Sequence, residues 1–209
     1  MNVHTRRYRI DGPAGVIELL RDEPGEDAAV KGTAVIAHPH PLFAGTMENK
    51  VVQTLARAFV QSGWRSLRFN FRGVGASQGV HDGGRGELED MLHIVASEAP
   101  EGDLALAGFS FGAFVAAGAV TRLWATRPAA RIVLVGTAAA NFAVPALAAE
   151  AHDRTLVLHG EQDDTVALSA VMDWARPQQL PVTVVPGGGH FFHGQLPLLK
   201  SLVARHLRS

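Results

Sequence analysis

Residues 104–112 read LALAGFSFG, an apolar run that ends in a serine between two glycines, with a phenylalanine on each side of the serine. The stretch satisfies two patterns of opposite meaning. As G-x-S-x-G it is the tight strand-to-helix turn that presents a nucleophilic serine at the end of a strand. As G-x-x-x-G in apolar surroundings it is the close-approach face of paired membrane helices. The flanks decide between them. Uncharged sequence extends over 104–121, 18 residues bounded by Asp103 and Arg122, short of the about 20 needed to span a bilayer. Pro100, Gly108, Gly112 and the change to Ala-rich texture divide it into a buried strand ending near Phe109 and a buried helix starting near Phe111.

Working outward, short apolar runs alternate with helical segments. TAVIAH (33–38) is followed by a helix through VVQTLARAFVQSG, SLRFNF (66–71) by a helix through GELEDMLHIVASE, and LALAGF by the helix FGAFVAAGAVTRLW. RIVLVG (131–136), TLVLHG (155–160), a short helix LSAVMDWA, VTVVPG (182–187) and a last helix LPLLKSLVARHL complete the series. Such alternation predicts an α/β fold, a mainly parallel sheet with helices on both faces. Before it, Tyr8-Arg9-Ile10 and residues 16–20 flank DGPAG, which reads as an antiparallel hairpin, and DEPGEDAAVKG (22–32) reads as a surface linker.

The whole chain sets limits. Its 209 residues, 47% hydrophobic and 19% charged, fit one domain over 1–209 with a sizeable core. A net charge of -1 offers no basic face for nucleic acid or an anionic membrane, so neither partner is expected. With no cysteine, disulfides, thiolate catalysis and Cys-ligated zinc are excluded. MNVHTRRYRIDG lacks an apolar h-region, so a secretory signal is not expected and a cytoplasmic location is.

In an open parallel sheet, ligands bind beyond the carboxyl ends of the strands, and four of those ends are polar: AHPHPLF, FSFG, GEQDD and GGGHFFHG. Ser110 sits on a turn that needs strained backbone, and glycine at 108 and 112 removes side chains that would collide with the neighbouring strand and helix. A serine hydroxyl needs a base, and the base an acid to orient it. The three glycines before His190 let its imidazole fold back over the sheet, which favours it over His193, read as a surface or packing residue. Glu161, Asp163 and Asp164 compete for the acid. Reach beyond Gly160 favours Asp163 over Glu161, with Asp164 a close competitor that could instead cap a helix starting near Val166 or Ala167. His38, His40 and His159 near strand ends raise a metal site, but the chain lacks a spaced run such as H-E-x-x-H. No metal and no cofactor are expected. The oxyanion of acyl transfer needs two donors. The Phe111 amide is one. Pro39 and Pro41 carry no N–H, which leaves His40, Leu42 or a later residue for the other.

AHPHPLFAGTMENKVVQTLARAF, LRFNFRGVGASQG, GGRGELED, LAGFSFG, HGEQDDTV and GGGHFFHG together resemble the α/β-hydrolase superfamily over nearly the whole chain. Within it they resemble small bacterial hydrolases related to dienelactone-hydrolase-like and acyl-peptidase-like enzymes. The resemblance implies an eight-stranded sheet and a Ser110, Asp163, His190 triad, in the chain order serine, acid, histidine. It also selects Asp163 over Asp164, and the His40 amide as second oxyanion donor with Leu42 in reserve. His-Pro-His-Pro stands where many relatives carry His-Gly. About 18 residues separate Gly136 from Thr155, too few for the helical cap that many members insert there, so an open site is expected. Arg72 and GGRGELED read as a structural salt bridge and a helix start, with loop organisation near the site as their second reading. The resulting expectation is a serine hydrolase acting on a small-molecule ester, thioester or amide. The alternative is a non-catalytic protein of the same fold that binds a ligand or partner. Oligomeric state is not legible.

Overall fold

The computed structural model describes residues 5–25 and 29–208. Residues 1–4 of the N-terminal stretch and 26–28 of the expected linker lie outside them. Eight strands form one sheet: β1 (Thr5–Gly12), β2 (Gly15–Asp22), β3 (Gly32–Ala37), β4 (Arg65–Phe69), β5 (Asp103–Phe109), β6 (Arg131–Val135), β7 (Thr155–Gly160) and β8 (Val182–Val185). Their order is β1-β2-β4-β3-β5-β6-β7-β8. β2 runs antiparallel to β1 and to β4, and the remaining pairs are parallel. The N-terminal hairpin therefore extends the parallel sheet at one edge.

Alternation along the central strands explains why they read as continuous apolar runs. Val35, Leu104, Leu106, Ile132 and Leu134 enter one core cluster, while Ile36, Ala105, Ala107, Val133 and Val135 enter the other. Both faces are buried, as parallel strands covered by crossover helices require. α1 (Lys50–Gln61) and α5 (Leu196–His206) cover one face. α2 (Arg85–Glu98), α3 (Phe111–Leu123) and α4 (Leu168–Ala175) contribute to the other. The uncharged run 104–121 is thus β5 plus most of α3, divided at Ser110. Among the described residues no helix is long and apolar enough to cross a membrane.

Between β6 and β7 the chain makes turns, irregular backbone over 143–148 and a six-residue 3-10 helix, Ala149–Arg154. Among the described residues no helical cap stands between β6 and β7. The two glycines of the central turn are fixed by contact with backbone. A Cβ on Gly108 would lie 2.1 Å from the Gly112 carbonyl oxygen, and one on Gly112 would lie 2.3 Å from the Ala37 oxygen and 2.5 Å from the His38 oxygen. Neither obstacle can rotate away, because both are main chain at the junction of β3, β5 and α3. We expect Gly112→Ala to lower unfolding free energy by about 1–3 kcal/mol, the usual cost of overpacking. Urea titration reads this as a lower midpoint at unchanged slope. An unchanged midpoint would mean that α3 is free to shift off β3.

Candidate active site

Ser110 has φ 58° and ψ -118°, outside the regions that non-glycine residues normally occupy. Its N–H donates to the Val135 carbonyl at 2.8 Å, and its own carbonyl accepts from Ala113 and Phe114. The turn is held from β6 on one side and α3 on the other, and its side chain stands at the N-terminus of a 13-residue helix, where the macrodipole favours negative charge.

Its Oγ lies 3.0 Å from His190 Nε2, and His190 Nδ1 lies 2.7 Å from Asp163 Oδ2. His190 is 4% exposed and Asp163 8%, so the chain of bonds is shielded along its length. His190 reaches Ser110 from the loop after β8. Gly136 has φ 54°, and a Cβ there would come within 3.3–3.4 Å of the imidazole. Gly160 lets the Gly188 carbonyl approach to 2.3 Å from where its Cβ would be. The Phe109 and Phe191 rings flank the imidazole at 4.8 and 5.1 Å.

The three carboxylates after β7 separate by task. Asp163 Oδ1 accepts from the Thr165 and Val166 amides at 3.0 and 2.7 Å, leaving Oδ2 for His190. Burial alone would raise its pKa, but the bonds from His190 and from the Val166 and Thr165 amides outweigh that and hold it below the ordinary carboxylate value. An ionised Asp163 accepts from Nδ1–H, which leaves Nε2 as the acceptor for the serine hydroxyl. Glu161 instead takes the Gly187 N–H at 2.8 Å and so pins the glycine loop that carries His190. Asp164 is exposed and contacts the Thr165 hydroxyl at 3.3 Å. Asp164 does not take the capping role it could have had: α4 starts at Leu168 with no side-chain cap, and the carboxylate that binds successive amides in this turn is that of Asp163.

The other strand-end histidines hold backbone. His38 donates from Nδ1 to the Pro39 carbonyl at 2.6 Å and accepts the Phe71 N–H at Nε2, at 3.0 Å. Its ring thus ties the loop after β3 to the loop after β4, and burial pushes its pKa down to about 4 against the opposing effect of the Pro39 carbonyl. His159 donates from Nε2 to the Val166 carbonyl at 2.9 Å and lies 3.5 Å from Asp163 Oδ2. Burial lowers its pKa also, in spite of the nearby carboxylate. Among the described residues no group of three or more histidine or acidic side chains could hold a metal ion. His193 is exposed.

No family model matches the chain. A curated protein of Rickettsia prowazekii, itself uncharacterized, is 45% identical over 93 residues, 43% of this chain and 39% of that protein. The match therefore spans well under half of that relative's length. Among solved structures, an alpha-beta serine hydrolase homologue from Coxiella burnetii is 36% identical with a TM-score of 0.84, over 99% of this chain and 98% of the other. A serine hydrolase without lid from Xanthomonas campestris is 33% identical with a TM-score of 0.83, over 100% and 95%. The chain belongs to the lidless α/β serine hydrolases.

In this α/β serine hydrolase the two expected oxyanion amides belong to turns facing each other across β3 and β5. Among the described residues no acceptor binds the Phe111 or His40 N–H, whereas the Leu42 N–H donates to His40 Nδ1 at 3.2 Å. The His40 ring folds onto its own loop, over the 3-10 turn Pro41–Phe43. Arg72 binds Asp90 through two nitrogens, at 2.9 and 2.7 Å, and lies 3.8 Å from Asp82. It anchors the loop 70–84 to α2. Within that loop lies a residue that sequence reasoning passed over, His81, whose Nδ1 is 2.7 Å from the fully buried Glu87. Glu87 also accepts the Gly84 N–H at 2.8 Å, closing the first turn of α2. The signal available was an acidic residue in the first turn of a helix, six positions after a histidine.

Proposed function

We propose that the chain is a cofactor-independent serine hydrolase that cleaves an ester, thioester or amide of a small molecule through an acyl-enzyme on Ser110. The observation that supports this most strongly is the unbroken series from Ser110 Oγ through His190 to Asp163, with bonds of 3.0 and 2.7 Å. His190 Nε2 takes the hydroxyl proton as Oγ adds to the carbonyl carbon, and Asp163 stabilises the imidazolium that forms. The negative oxygen of the tetrahedral intermediate is received by the Phe111 amide at the N-terminus of α3 and the His40 amide in the loop after β3. Collapse breaks the bond to the leaving group, which departs with the proton from His190. Water then adds to the acyl carbon, giving its proton to His190. The second collapse returns that proton to Oγ and releases the acid.

A fluorophosphonate probe tests the reading directly, since it labels only a serine with an activated hydroxyl. We expect stoichiometric labelling, with the mass increase located by peptide mapping on the peptide containing Ser110, and no labelling after heat denaturation. An unlabelled native protein would fit instead a ligand-binding protein of the same fold.

A further inference from the structure

One side of the site is built of rings. The Phe111 ring, next in sequence to the nucleophile, is buried, and four half-buried rings surround it: His40 at 4.9 Å, Phe142 at 5.1 Å, His81 at 5.5 Å and Phe114 at 5.8 Å. Phe114 stacks on Phe142 at 4.9 Å and 16°. The ring neighbours of His190 are a separate pair, Phe109 and Phe191. A leaving group must lie within reach of His190 to be protonated. The shelf beside Phe111 is therefore left for the acyl group.

Two of the shelf's rings are imidazoles, with centroids 4.8 Å apart, and their tautomers are fixed in opposite senses. His40 Nδ1 accepts the Leu42 amide, so the proton of the neutral ring sits on Nε2, and burial together with the neighbouring His81 lowers the His40 pKa from its ordinary value. His81 Nδ1 faces the Glu87 carboxylate, so its proton sits there and Nε2 of the neutral ring is an acceptor. Neither Nε2 has a hydrogen-bond partner among the described residues, and neither is sealed from solvent. In the neutral tautomers one ring thus offers a donor and the other an acceptor, on imidazoles that neighbour each other within an aromatic cluster, the complement of a hydroxyl on a flat ring.

We propose that this shelf is the acyl subsite and takes an aryl acyl group bearing a hydroxyl. The aryl ring packs on the open sides of His40 and Phe142, and the hydroxyl accepts from His40 Nε2–H and donates to His81 Nε2. The proposal rests on the reading of Ser110 as nucleophile, because that reading fixes which side the leaving group occupies.

The test uses ethyl esters of 3-phenylpropanoate, 3-(4-hydroxyphenyl)propanoate and 3-cyclohexylpropanoate, whose carbonyls are insulated from the ring. In the wild type, kcat/KM should rise about threefold to tenfold from cyclohexyl to phenyl, the gain of ring-on-ring contact. It should rise about threefold to tenfold again with the hydroxyl. His81→Phe keeps the ring and removes the acceptor, so the ratio of hydroxyphenyl to phenyl should fall to about one. Phe142→Leu should remove most of the phenyl preference and keep the hydroxyl ratio. Equal rates for the cyclohexyl and phenyl esters in the wild type, or a hydroxyl ratio that survives His81→Phe, overturn the proposal. Calorimetric binding of the free acids to Ser110→Ala reads the shelf without turnover. The same ranking in binding supports the subsite, and equal affinity for all three acids rejects it. Absent turnover combined with absent fluorophosphonate labelling would instead count against the nucleophile itself.

Discussion

Ser110→Ala is expected to leave the fold intact and to remove nearly all turnover, a loss of at least about 10^3-fold in kcat. The side chain contributes one oxygen to the structure, and its hydrogen-bond partner is His190 Nε2, at the surface end of the series. The elbow itself is held by main chain, through the Ser110 N–H on Val135 and the Ser110 carbonyl on α3. Those bonds are unchanged in alanine, although the strained φ of 58° remains. Thermal unfolding should therefore shift by no more than a few degrees while ester hydrolysis disappears. The residual rate measures what the oxyanion amides and binding provide without a nucleophile. Retention of more than about a tenth of wild-type kcat would remove Ser110 from the nucleophile's role.

The sequence made this serine conspicuous because its constraint is local. A strained residue between a strand and a helix demands glycine at both i-2 and i+2, and Gly108 and Gly112 meet main chain at 2.1 and 2.3 Å for that reason. The parallel sheet was legible on the same grounds, since β3, β5 and β6 bury both faces and so lose the alternation of polar and apolar residues. What sequence spacing could not resolve depends on which way a side chain turns. Glu161, Asp163 and Asp164 are equally acidic and nearly equally placed, and they differ only in partner: Gly187 N–H, His190, or the Thr165 hydroxyl. The His40 and Leu42 amides differ in the same way, since the His40 ring accepts from the Leu42 amide. The placement of β4 between β2 and β3 and the pairing of His81 with His40 are long-range. His81 precedes Phe111 by thirty positions in the chain and meets it only once the β4–α2 loop is anchored by Arg72 on Asp90.

Asp163→Asn should cost about 10^4-fold in kcat, and Asp164→Asn little. The amide is isosteric, but to keep the Thr165 and Val166 amides its oxygen must stay at the Oδ1 position. That turns its NH2 toward His190 Nδ1, which must then accept. The imidazole proton is driven to Nε2, the atom that must receive the serine's proton, so the base is lost although no atom has been removed. Asp164 touches neither His190 nor Ser110, and its neutralisation leaves this arrangement alone. The two variants also differ in acid. Because the Asp163 pKa is lowered in the folded protein, its contribution to stability is fully present above its unfolded pKa, about 3.9. It is lost as pH falls through the lower folded value, where the native state must finally take up the proton. Asp163→Asn removes a proton-linked group, so the fall in its urea midpoint between about pH 5 and 3 should be shallower than in the wild type. Asp164→Asn should follow the wild-type profile. A large kcat loss in Asp164→Asn with Asp163→Asn near wild type would transfer the acid's role to Asp164, and would mean that the turn after β7 rearranges when substrate binds.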